Sequence, residues 1–123
     1  MTQTTRILTV DDSPSMRALL RLALTEQGFA VDQAEDGVAA LEWLQHNDVD
    51  VVITDINMPR LDGFGLIAEL RAGSRYGDRP ILVLTTESSD EKKARARAAG
   101  ATGWIVKPFD ADKLAAAVRR VTH

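Results

Sequence analysis

VVITDINMPR (residues 51–60) is the stretch that decides the fold. Val51, Val52 and Ile53 are apolar and β-branched, and Thr54 extends the run, which is the composition of a strand buried on both faces. Asp55 follows at once, and Met58-Pro59 marks a turn. Burial on both faces implies a parallel sheet covered by helices. A carboxylate at the tip of such a strand is costly unless it is paired.

The same grammar recurs along the chain. RILTV (6–10) reads as a short buried strand ending in Asp11-Asp12. Ser13 is placed to cap a helix and Pro14 suits its first turn, where no N–H is needed. Met16, Leu19, Leu20 and Ala23 then fall at the helical period, and Gly28 is a plausible stop. FAVDQA (29–34) is a second strand, and Asp36 to about His46 a helix with Val38, Leu41 and Leu44 facing inward. After the third strand, Asp62 or Gly63 to about Ala72 gives a helix with Phe64, Ile67 and Leu70 on one face. PILVLTT (80–86) is the fourth strand, SSDEKKARARAAG a helix that Ser89 caps, and TGWIVKPF (102–109) the fifth strand. Asp112 to Val121 closes the chain as a helix with Leu114, Ala117, Val118 and Val121 inward. Alternating strands and helices predict an α/β domain: a doubly wound, five-stranded parallel sheet with right-handed crossovers.

The whole composition agrees. The chain has 123 residues, 45% hydrophobic and 27% charged, which predicts one globular domain spanning 1–123 with no output domain of its own. A net charge of −3 argues against general nucleic-acid binding. No apolar run approaches the roughly 18 residues of a membrane helix, and the N-terminus lacks a signal-peptide pattern. The absence of cysteine removes disulfides, thiol catalysis and thiolate metal sites, and fits a cytoplasmic protein.

In a doubly wound sheet the functional crevice lies beyond the carboxyl ends of the strands. Those ends carry Asp11-Asp12, Asp55, Thr85-Thr86 and Lys107. Three acids gathered at one edge repel, and a divalent cation relieves that repulsion; an all-oxygen site with open water positions suits Mg²⁺. A metal beside a carboxylate supports phosphoryl transfer. Asp55 then reads as a nucleophile forming an acyl phosphate, with Lys107 and Thr85 contacting phosphoryl oxygens. No Gly-rich dinucleotide fingerprint follows the first strand.

VDDSPSMR (10–17), AEDGVAAL (34–41), DINMPRLDG (55–63), TTE (85–87) and GATGWIVKPF (100–109) together resemble the receiver domain of bacterial response regulators, in particular the single-domain chemotaxis type. The resemblance runs from about Ile7 to Val121 and implies the flavodoxin-like (βα)5 fold with strand order 2-1-3-4-5. It implies that Asp55 accepts phosphate from a histidine kinase's phosphohistidine. Asp12, Asp55 and the backbone carbonyl of Asn57 would ligate Mg²⁺, with Asp11 acting through water and charge. Thr85 and Lys107 match the phosphate-contacting pair, and Lys107-Pro108 matches a cis peptide bond. Such a protein catalyses only its own phosphorylation and dephosphorylation and is not otherwise an enzyme.

The resemblance also implies a switch: Thr85 moves toward the phosphate and an aromatic residue, here Trp104, turns into the space it leaves. Many relatives carry Tyr or Phe at that position. The fourth helix offers only Ala94, Ala96, Ala98 and Ala99 as apolar residues, so it gains little from packing and is easy to shift. The fourth helix, fifth strand and fifth helix would form the output face, made partly basic by Lys92, Lys93, Arg95 and Arg97. Asn57 and Glu87 match positions that tune loss of phosphate. The implied partners are a chemotaxis-type histidine kinase, an effector such as the flagellar motor switch, and a phosphatase, acting on a monomer. A receiver of another pathway fits the same motifs: a phosphorelay intermediate, a phosphate sink or a fragment of a multidomain regulator. A haloacid-dehalogenase-type phosphatase fits poorly, because its nucleophile follows the first strand and a second Asp stands two residues on, where this chain has Asn57.

Overall fold

The structure, a computed structural model, describes residues 4–73 and 75–122. Five strands alternate with five helices: β1 Arg6–Val10, α1 Pro14–Glu26, β2 Ala30–Ala34, α2 Gly37–Leu44, β3 Val51–Thr54, α3 Gly63–Ala72, β4 Ile81–Thr85, α4 Asp90–Ala99, β5 Gly103–Val106 and α5 Ala111–Thr122. All neighbouring strands pair in parallel, in the order β2-β1-β3-β4-β5.

The apolar runs are explained by burial on two sides. Along each strand successive side chains point to opposite faces. Leu8, Val10, Val52, Ile81 and Val83 join one cluster with Leu44, Phe64, Ile67 and Leu70 of α2 and α3. Ile7, Val51, Ile53, Leu82 and Leu84 join the other with Leu20, Leu24, Leu114 and Val118 of α1 and α5. Each fully buried aliphatic side chain contributes about 1.5–3 kcal/mol, which is why the central strands carry almost no polar residue before their tips.

The helix starts follow the capping residues. Ser13, Asp36, Asp62 and Ser89 each accept a backbone N–H of the first turn. Gly28 and Gly100, at φ 93° and 115°, turn the chain after α1 and α4. In α1 the expected inward stripe is corrected: Leu19 is 54% exposed, while Leu20 and Leu24 are buried. The helix carries leucines at 19, 20, 22 and 24, so its apolar residues define more than one stripe, and the Leu20–Leu24 pair is the one that reaches the sheet. In α5 Ala115 is buried with Leu114 and Val118, and Ala117 and Val121 pack at the margin. The fifth strand, Gly103–Val106, is shorter than the expected span 102–109 and the least buried, as befits an edge strand.

α4 holds to the body through little. Ala96 is its one buried residue, and the Arg95 guanidinium stacks over the Phe64 ring of α3 at 4.0 Å. Its caps and the acidic Asp90 and Glu91 in its first turn supply local support.

Candidate functional site

At the carboxyl edge of the sheet, β1 and β3 deliver two carboxylates to one ammonium. Asp11 leaves β1 with its N–H donating to Ala34 O (3.1 Å), and Asp55 leaves β3 with its N–H donating to Val10 O (2.9 Å). The strand ladder thus fixes both backbones before the side chains are considered. The Lys107 ammonium, arriving from the end of β5, donates to Asp11 Oδ2 and to Asp55 Oδ2, each at 2.7 Å. The side chains are 3%, 12% and 9% exposed for Asp11, Asp55 and Lys107, so these are largely desolvated charges. Their other oxygens are also engaged: Asp11 Oδ1 accepts Ser13 N–H (2.9 Å) and Asp55 Oδ1 accepts Ile56 N–H (2.6 Å). Burial alone pulls the Lys107 ammonium down; the two carboxylates outweigh it and hold its pKa above the ordinary lysine value.

Asp12 does not join this group. Its side chain is exposed and borders a depression shared with Glu35, Asp36, Pro59 and Arg60. Among the described residues no group of three or more His, Cys, Asp or Glu is set to hold a metal ion. The side chains that meet here are a carboxylate pair, Asp11 and Asp55, bridged by Lys107, with Asp12 exposed beside them. The donor chemistry still suits a hard cation. One ammonium against Asp11, Asp55 and the nearby acids leaves negative charge over, and every side-chain donor is oxygen; Mg²⁺ is ordinarily held by one or two carboxylates plus waters, not by a complete protein cage.

Thr85 ends β4 fully buried, and its Oγ accepts Glu87 N–H (3.3 Å). Lys107 N–H donates to Thr85 O (2.8 Å), so the lysine and the threonine are tied through the backbone. The Lys107-Pro108 peptide is cis, as expected. Trp104 is half-buried, packs on the α2/α3-side core and donates its indole N–H to Glu87 O (3.1 Å). Asn57 is exposed and its side-chain amide donates to Glu87 Oε1 (3.2 Å). Glu87 also pairs with Lys92 of α4 at 2.9 Å. The hydrogen bonds from Lys92 and Asn57 hold its carboxyl below the usual glutamate value.

The loop that follows Asp55 is braced by contacts between residues distant in the chain. Asp36, 3% exposed, caps α2 and accepts both Arg60 Nε (2.7 Å) and Arg60 Nη2 (3.0 Å). Arg60 adopts φ 66°, a conformation uncommon for a non-glycine residue, and the two-pronged pair holds it there. Gly63 N–H closes the loop onto Ile56 O (2.8 Å). Ile56 itself is 2% exposed and belongs to the core. The sequence places Asp36 at the start of a helix; its capping role and its partnership with Arg60, which joins two loops, come from the structure.

The chain's likenesses agree with this geometry. The family model for the response regulator receiver domain matches residues 7–119. The response regulator MprA of Mycobacterium sp. (strain KMS) is 42% identical over 93% of this chain and 49% of its own length, so the chain spans about half of that relative. The chemotaxis protein CheY4 of Vibrio cholerae superposes with TM-score 0.92 at 44% identity, covering 97% of this chain and 99% of that one. The receiver domain of the sensor histidine kinase PA1611 of Pseudomonas aeruginosa PAO1, solved with a magnesium ion in its active-site cleft, superposes with TM-score 0.90 at 26% identity, covering 98% of each chain. The chain belongs to the response regulator receiver domain family.

Proposed function

We propose that this receiver domain is a phosphorylation-operated switch in which Asp55 takes a phosphoryl group from the phosphohistidine of a histidine kinase. The observation that carries the reading is the Lys107 bridge to Asp11 and Asp55 at the tip of β3, each at 2.7 Å. A buried carboxylate held by a movable ammonium is a nucleophile with its counter-charge already in place. Asp55 oxygen attacks phosphorus, the O–P bond forms, the N–P bond breaks, and the electron pair stays on the imidazole nitrogen. Lys107 follows the charge onto a phosphoryl oxygen, and the Thr85 hydroxyl donates to another. Asp12, Asp55 and the Asn57 carbonyl would hold Mg²⁺, with Asp11 acting through water and charge. The cation would offset the charge of the transferring oxygens, as the magnesium-bearing relative suggests.

Thr85, Glu87 and Trp104 are joined by hydrogen bonds, so a shift of Thr85 is felt at the β5 aromatic. A change from mostly off to mostly on needs about 5.5 kcal/mol of differential binding, shared between phosphate and partner. Likeness to the chemotaxis protein CheY4 favours a chemotaxis pathway; on our reading the donor is a chemotaxis-type kinase, the effector a flagellar motor component and a phosphatase ends the signal, with the domain acting in the cytoplasm as a monomer. Likeness to MprA, of which the chain spans about half, supports a second reading, a receiver unit of a longer regulator in another pathway.

Loading with phosphoramidate and Mg²⁺, followed by the decay of bound phosphate, tests both. Decay within seconds supports the chemotaxis reading, persistence for hours supports the second, and failure to load refutes the acceptor assignment.

A further inference from the structure

Glu87 is where four parts of the molecule meet. Its N–H reaches Thr85 Oγ (3.3 Å), its carbonyl receives the Trp104 indole (3.1 Å), and its Oε1 receives the Asn57 amide (3.2 Å) and the Lys92 ammonium (2.9 Å). Three of these contacts involve the strand tips and the acceptor loop. The fourth belongs to α4, the helix with a single buried residue.

The geometry around the shared oxygen is specific. A glutamate on an irregular loop has free rotamers, and one neutral amide at 3.2 Å does little to choose among them. Lys92, in the first turn of α4, holds the same carboxylate oxygen at 2.9 Å, and Ser89 fixes the Lys92 backbone by capping that helix (Lys92 N–H to Ser89 Oγ, 3.2 Å). The Lys92 and Glu87 side chains are 40% and 29% exposed, so the pair is partly wet and sensitive to salt. Asn57 lies two residues beyond Asp55, so whatever holds Glu87 on Asn57 also arranges the polar groups beside the acceptor.

We propose that Lys92 is a positioning residue for Glu87, so that the lifetime of the phosphoryl group on Asp55 is set in part from α4. The inference rests on the reading of Asp55 as acceptor. With Glu87 held, its carboxylate and the Asn57 amide orient water toward the phosphorus; with Lys92 gone, Glu87 swings free and water loses that orientation. Anything that docks on α4 and draws Lys92 away has the same effect and prolongs the signal it reads.

The test is phosphate decay after phosphoramidate loading, read by intact mass, for wild type, Lys92→Met, Lys92→Arg, Glu87→Ala and the Lys92→Met/Glu87→Ala double variant. Lys92→Met should slow decay about two- to fivefold, the effect a partly exposed ion pair supports, and Lys92→Arg should restore much of the wild-type rate. The double variant should decay like Glu87→Ala alone. Added salt should slow wild type and leave Lys92→Met unchanged, a response that a merely structural loss would not give. Wild-type decay in Lys92→Met alongside altered decay in Glu87→Ala overturns the inference and leaves Asp55 as acceptor. Additive effects in the double variant overturn it too. Wild-type protein that takes no label overturns the acceptor reading and the inference with it.

Discussion

Replacing Gly63 with alanine probes the loop after Asp55 at its tightest point. A Cβ built on Gly63 lies 2.3 Å from Asp55 O and 2.8 Å from Ile56 Cα. Both are backbone atoms of the Asp55–Ile56 segment, so neither can rotate away. Restoring an ordinary contact of 3.4 Å to Asp55 O requires a shift of about 1 Å. That shift falls on a residue whose carboxylate must keep its hydrogen bonds to Lys107 and Ile56 N–H. Overpacking of this kind costs about 1–3 kcal/mol. A displacement of about 1 Å at a reacting group slows the chemistry by about 10²-fold. Gly28→Ala is the control, since it has φ 93° and nothing within 4 Å of the added methyl. It should lose about 1 kcal/mol through backbone strain while loading normally. Urea unfolding gives the stability and phosphoramidate loading gives the rate. Gly63→Ala that loads at the wild-type rate, or that matches Gly28→Ala in both assays, refutes the claim that loop packing positions Asp55.

Leu20→Ala should cost about 2–5 kcal/mol and Leu19→Ala no more than about 0.5 kcal/mol, measured by urea unfolding; equal losses would contradict the assigned face of α1. Arg60 holds the folded pKa of Asp36 below 3.8, so its contribution is complete above that value and is lost as pH falls through the folded pKa. The stability gap between wild type and Asp36→Asn should therefore be constant near neutrality and close below about pH 3.8; a gap that persists in strong acid would contradict the pairing. Trp104 emission, isolated in a Trp43→Phe background, should change on phosphorylation, and an unchanged spectrum would count against its role in the switch.

The fold was legible because strands buried on both faces cannot hide: ILTV, VVIT and ILVLT admit little else, and the capping residues fix the helix starts. Leu19 misled because period alone does not choose between stripes on a leucine-rich helix; the sheet chooses. At the site, the rule that strand ends converge located Asp11, Asp55, Thr85 and Lys107, since parallel register brings those ends together. Asp11 is buried and its neighbour Asp12 exposed, a difference that sequence order alone does not show. The Asp36–Arg60 and Glu87–Lys92 pairs were illegible for a different reason. Each joins side chains whose meeting depends on loop conformation, and neither charge pattern is distinctive in a chain with 15 basic and 18 acidic residues.

Everything proposed for the switch depends on Asp55 receiving the phosphoryl group. Intact mass after exposure to phosphoramidate and Mg²⁺, compared between wild type and Asp55→Asn, tests it most directly. Wild type should gain one phosphoryl group and the variant none. Stoichiometric labelling of Asp55→Asn would contradict it.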